Sequence, residues 1–206
     1  MAVYCTALFL VQYAFAAYSG NKGMFFGLEV FNGDATNAAT CGNQCSEQQL
    51  DYNRGVQLAG GLADILFSVV GYLYSWVLPP LVRRFGARTV ATVSTIPQML
   101  LMAMAFCDVV ALDVTIVAFT SITIGTFFAL GVPLIVHVLG HTVGIGVYVG
   151  VLNSANSFGQ LLNYMVGSAL VETSLGFRLP IFVGGAVSLL AFLVCLCCLR
   201  LQVNSL

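Results

Sequence analysis

Residues 143–171 read VGIGVYVGVLNSANSFGQLLNYMVGSALV, an uncharged run that carries Asn153, Asn156, Gln160 and Asn163. As a helix it would extend about 43 Å, more than the roughly 30 Å hydrocarbon core of a bilayer. It is too long for a barrel strand and shows no alternation of apolar and polar residues. Amides inside such a helix are costly unless they meet a substrate, a water path or another helix.

Five further runs of similar character surround it, so that the spans lie at about 3–31, 55–78, 89–107, 112–137, 143–171 and 179–201. Charged residues make up 7% of the 206 and hydrophobic residues 59%, against about 25% charged in a soluble domain. Mean hydropathy is +0.96. A soluble core of this size does not hide so much apolar surface. The reading is an all-α polytopic membrane protein forming one six-helix bundle, with the lipid bilayer as its first partner.

With only 7 Lys and Arg residues, the position of each is informative. Arg83, Arg84 and Arg88 fall between spans two and three, and Arg200 closes span six. The positive-inside rule then places both termini in the cytosol. Arg54 and Arg178 lie on the opposite side, with Glu29, Asp34, Glu47, Asp51, Asp108, Asp113 and Glu172. No basic patch suited to nucleic acid is present. Met1 is followed by apolar residues up to Lys22 without the basic start of a signal peptide. That start reads as a transmembrane helix whose cytosolic anchor lies upstream.

Gly20-Asn21-Lys22-Gly23 interrupts span one. Either the helix is broken there, as in helices that line transporter cavities, or it ends at Ser19 and residues 24–31 lie at the interface. Residues 32–54 form a polar outer loop holding Cys41 and Cys45. The C-x3-C spacing can close a small disulfide loop, with a free thiol pair as the alternative. Zinc would need two further ligands, and neither His lies on that side.

The elements in order form a series. It runs Phe26-Gly27-Leu28-Glu29-Val30-Phe31-Asn32-Gly33-Asp34, then Arg83-Arg84-Phe85-Gly86-Ala87-Arg88 and Val132-Pro133-Leu134. Gly150-Val151-Leu152-Asn153 with Gln160, and Arg178-Leu179-Pro180-Ile181-Phe182-Val183, complete it. The series resembles the second half of the sucrose–proton symporters, in the glycoside–pentoside–hexuronide group of the major facilitator superfamily. The resemblance implies helices seven to twelve of a transporter built from two six-helix halves. It also implies a sugar and a proton as ligands, and either an N-terminal half or a second copy of the chain as partner. Met24 stands where family members usually carry an acidic residue three positions before the glycine at Gly27.

Asp64 reads as the one acidic residue deep in a span, about 13 Å from its outer end, and Lys22 lies at a similar depth. Asp64 is read either as a proton-coupling carboxyl or as half of a structural ion pair with Lys22. Asn153, Asn156, Gln160 and Asn163, at spacings of three, four and three, fall near one helix face. They would line a cavity for sugar hydroxyls or hydrogen-bond between helices, and four amides exceed what packing needs. Gln12 is placed on the same path, and Arg83, Arg84 and Arg88 at a cytosolic gate. His137 and His141 read as turn residues, and Cys195, Cys197 and Cys198 as small packing residues. Gly60, Gly61, Gly144, Gly146, Gly150, Gly184 and Gly185 are read as sites of close helix contact.

No nucleophile–base constellation, phosphate loop or metal cluster is found in the sequence, so neither an enzyme nor a cofactor is expected. The alternative function is a transporter-derived half-bundle acting as a nontransporting interaction protein. The plasma membrane is the default location, and an acidic organelle is equally compatible.

Overall fold

The computed structural model describes residues 1–42, 44–139 and 144–199. The described residues form helices and loops without strands. In chain order the helices are α1 (Ala2–Ser19), α2 (Lys22–Met24), a π-helical segment (Phe25–Val30) and α3 (Glu47–Leu58). A second π segment (Ala59–Ala63), α4 (Asp64–Phe85), α5 (Ala87–Ser94), α6 (Ile96–Met99) and α7 (Leu101–Met104) follow. The last three are α8 (Val110–Leu139), α9 (Ile145–Val171) and α10 (Arg178–Cys198).

Among the described residues four helices are long and apolar enough to cross a membrane, as in a membrane protein: Ala2–Ser19, Glu47–Phe85, Val110–His137 and Arg178–Cys198. Helix α9 has the length, at 27 residues, but its amides lower its hydropathy. The expected span at 89–107 is not one helix. It is built from three short helices of 8, 4 and 4 residues joined at Thr95 and Leu100. Pro97 lies in the second piece, where a missing N–H and a fixed φ suit a first turn better than a helix interior.

The expected span at 55–78 begins earlier and ends later, as the 39-residue helix Glu47–Phe85. Ser46 opens it with a capping box: its hydroxyl accepts from Gln49 N–H at 3.2 Å, and Gln49 Oε1 accepts from Ser46 N–H at 2.9 Å. The polar loop therefore stops at Ser46 rather than at residue 54. Pro79 and Pro80 are accommodated inside α4. Arg83 and Arg84 consequently lie on its last turn and Arg88 on the first turn of α5, so the turn between them is Gly86 alone, at φ 81°.

The break in span one is a kink, not an unwound stretch. Gly20 and Asn21 both keep right-handed backbone. Asn21 N–H shifts to Tyr18 O at 3.0 Å, and the Asn21 side chain donates to Ala17 O at 2.9 Å. The side chain thus satisfies the carbonyl that the backbone abandoned.

Helix α1 is the centre of the bundle, packing chiefly on α9 and α10, while α4 packs on α8. One apolar cluster, around Tyr4, Leu8, Val82, Phe127 and Leu134, lies toward the arginine-bearing end. A second, around Tyr18, Phe26, Met104, Val117 and Ile181, lies toward the disulfide loop. Tyr4 donates to Phe127 O at 2.5 Å, tying α1 to α8. Between the clusters runs a buried polar belt that includes Gln12, Thr95, Gln98, Thr123 and Ser188. Gln98 Nε2 donates to Val11 O at 3.0 Å, and Thr123 Oγ1 to Ser94 O at 2.6 Å.

Close helix contact falls on Gly184 and Gly185 of the expected glycines, and on Gly159, which was not among them. A Cβ on Gly159 would stand 2.4 Å from Phe9 O, and one on Gly184 2.7 Å from Ala17 Cβ. One on Gly185 would stand 2.4 Å from Met102 N. Gly60, Gly61, Gly146 and Gly150 have nothing within 4 Å of that position, and Gly144 meets only Val147 Cγ2 at 3.8 Å. Gly159→Ala should therefore cost about 1–3 kcal/mol by separating α9 from α1. Gly150→Ala, in an open helix interior, should be neutral or stabilising by up to about 1 kcal/mol. Melting of both variants in detergent, followed by size-exclusion chromatography, checks the contrast.

Candidate functional site

The amides on α9 form a slanted stripe rather than a uniform face. At 100° per residue, spacings of three, four and three leave Asn163 turned about 80° from Asn153. Accordingly Asn153 is exposed, Asn156 and Gln160 are half-buried, and Asn163 is buried against the bundle. Gln12, buried on α1, meets this stripe. Gln160 Nε2 donates to Gln12 Oε1 at 3.3 Å and to Asn156 Oδ1 at 3.0 Å. Gly159 makes this meeting possible, because the absent side chain lets α9 approach the α1 backbone.

The cluster leaves hydrogen-bonding capacity unused. Gln12 Nε2 and both polar atoms of Asn163 are buried without a partner. Buried amide groups without partners are uncommon and disfavoured, by about 1–3 kcal/mol each. Two donors and an acceptor at the foot of a stripe that opens onto the surface suit a ligand rich in hydroxyls.

Lys22 and Asp64 are brought together. Lys22 Nζ donates to Asp64 Oδ2 across the gap between the kinked first segment and α4. Two π segments flank the pair, one starting just after α2 and one ending just before Asp64. The first π segment also packs closely on α3: a Cβ on Gly55 would stand 2.7 Å from Gly27 Cα. The side chains are 26% and 44% exposed, so Asp64 is not the buried acid that its depth in the sequence implied.

That description fits Asp113, which the sequence placed among outer-face residues. It sits in the first turn of α8 with 0% exposure, and neither carboxyl oxygen has a partner. The reason is azimuth: helix α8 begins at Val110, and Asp113 points inward while Ala111 and Leu112 point out. Nearby, Arg178 joins three segments. Its Nε donates to Glu29 Oε2 at 3.1 Å, and its Nη2 to Glu29 O at 3.1 Å and to Asp108 Oδ1 at 2.9 Å. Glu29 Oε1 also accepts from Phe177 N–H at 3.1 Å.

Arg83, Arg84 and Arg88 are exposed, and among the described residues none meets a carboxylate. Arg88 Nη2 instead donates to Leu196 O at 2.6 Å, satisfying a carbonyl in the last turn of α10. Arg84 lies over the Phe85 ring at 5.4 Å. Cys41 and Cys45 form a disulfide, with their Cα atoms 4.9 Å apart. In the same loop Thr36 N–H donates to Asp34 Oδ1 at 2.8 Å and holds that carboxyl below the usual range. His141 and Arg200 lie outside the described residues.

Compared with protein-family models, curated proteins and solved structures, the chain matches none.

The half-exposed Lys22–Asp64 pair predicts a double-mutant signature. Lys22→Ala and Asp64→Ala should each destabilise the chain, and the double variant should recover part of the loss. The coupling should be about 1–2 kcal/mol, between values for exposed and buried pairs. Thermal unfolding of the three variants in lipid nanodiscs measures it.

Proposed function

We propose that this chain is the sugar-binding six-helix half of a proton-coupled sugar transporter, with a sucrose-like disaccharide as substrate. The observation that carries the reading is the amide cluster of Gln12, Asn156, Gln160 and Asn163 between α1 and α9, with unused donors and acceptors at its buried end. Sugar hydroxyls both donate and accept, and a neutral amide serves either need without placing a charge in the membrane. A stripe that ends in exposed Asn153 also gives the ligand an entry route.

The resemblance of the Phe26–Asp34, Arg83–Arg88 and Gly150–Gln160 series to sucrose–proton symporters supports the same substrate class and the assignment to one half of a major facilitator bundle. In that arrangement both termini are cytosolic, and the disulfide loop faces outward. A second half, or a second copy of this chain, covers the amide stripe and supplies carboxylates to Arg83 and Arg84. The apolar face of α4, with Ile65, Tyr72, Leu73 and Trp76 exposed, lies against lipid or that partner.

Expression in cells lacking endogenous sucrose uptake tests the reading. Uptake of labelled sucrose should rise when the outside is acidified. Gln160→Leu should reduce it by about ten- to a hundredfold, since a buried hydroxyl partner is lost. Uptake that ignores both the proton gradient and Gln160→Leu would contradict the proposal. Complete absence of uptake together with stable partner capture would favour a nontransporting interaction protein.

A further inference from the structure

Asp113 is the least explained polar group in the structure. It is 0% exposed, and both of its carboxyl oxygens lack a partner. The second apolar cluster, including Phe26, Met104, Val114 and Val117, fills this end of the bundle. An ionised carboxylate there would need a cation, several hydrogen-bond donors or both. The groups that face it are few. Asp108 and Arg178 supply the nearby charges, and Tyr18 faces it from α1 with its own hydroxyl buried and unpartnered. Tyr18 also lies near Asp64, which is paired with Lys22.

Among the described residues Arg178 is the cation that acts on it, and it is committed elsewhere, to the Glu29 carboxylate, the Glu29 carbonyl and Asp108. Among the described residues no group of three His, Cys, Asp or Glu could hold a metal ion. A proton neutralises the carboxyl without a cation or a donor. We propose that Asp113 is a proton-binding site, whose buried and unpartnered carboxyl is protonated while Glu29 and Asp108 hold Arg178 and is released to the ionised form when Arg178 turns toward it.

The step is simple in its chemistry. One O–H bond breaks at Asp113, the electron pair stays on the carboxylate, and the guanidinium replaces the proton as the counter-charge. The proton leaves toward the disulfide-loop end, where Asp108 is 61% exposed. Arg178 thereby becomes a positioning residue for the proton, and Glu29 and Asp108 set how readily it moves. Proton binding at Asp113 does not depend on sugar transport; only its coupling to uptake rests on that reading.

Infrared pH-difference spectra of the full chain in lipid vesicles, recorded without sugar, test the proposal. The wild type should show the carbonyl stretch of a protonated carboxylic acid at neutral pH. The band should move on labelling with carbon-13 aspartate, remain in Asp64→Asn and vanish in Asp113→Asn. Asp108→Asn removes a negative neighbour and loosens Arg178, and both effects favour ionised Asp113. The band should then titrate about one pH unit lower. No aspartate band in the wild type between about pH 5 and pH 8 would overturn the proposal without requiring any variant to fold. A band surviving in folded Asp113→Asn would overturn it too, and an unmoved or upward titration in Asp108→Asn would overturn the role of Arg178.

Discussion

Polar groups inside an apolar helix bundle have no bulk water to turn to, and the interior of this structure is arranged around that constraint. Several carbonyls near helix breaks and ends are met by a side-chain partner. At the kink after Ser19, the Asn21 side chain takes the Ala17 carbonyl that the backbone gives up. Gln98 reaches the Val11 carbonyl, Thr123 the Ser94 carbonyl and Arg88 the last turn of α10. Lys22 and Asp64 neutralise one another between two π segments. Against this background the unpartnered groups stand out: Gln12 Nε2, both polar atoms of Asn163 and the Asp113 carboxyl, with the Tyr18 and Ser188 hydroxyls and Gln98 Oε1 besides.

Two sets among them, the α1–α9 amides and the Asp113 carboxyl, lie apart, and the division has chemical sense. The amides lie between α1 and α9, where a neutral polyol would find donors and acceptors without a charge. Asp113 lies nearer the disulfide loop, beside the Arg178 cluster that joins the end of the first π segment to the start of α10. Helix α1 packs on both α9 and α10 and carries Gln12 and Tyr18. Movement of α1 would therefore be felt by the amide cluster and the carboxyl together. Close contacts at Gly159 and Gly184, with no side chain between backbones, join α1 to both neighbours.

The sequence was most legible where one variable sufficed. Long uncharged runs marked the membrane helices, and residue counts along them put Lys22 and Asp64 at one depth. The same counting put Asp113 near a helix end but missed its burial, because depth along a helix says nothing of which way a side chain points. Four amides spaced three, four and three read as one face, but the accumulated rotation carries Asn163 into the core while Asn153 stays outside. Ser46 and Gln49 held a start signal for α3 that the polarity of residues 47–54 obscured. Glycines could be found but not sorted: Gly159 and Gly150 look alike until the neighbouring helix is placed. The breaks at Thr95 and Leu100 had only Pro97 to announce them.

Binding of a polyol by the α1–α9 amide cluster can be read from equilibrium binding of labelled sucrose to the purified chain in nanodiscs. Saturable binding that falls sharply in Gln12→Leu, and is displaced by other disaccharides but not by apolar compounds of similar size, is the expected result. Sucrose binding of unchanged affinity in Gln12→Leu, or no saturable binding by a folded chain, would contradict it.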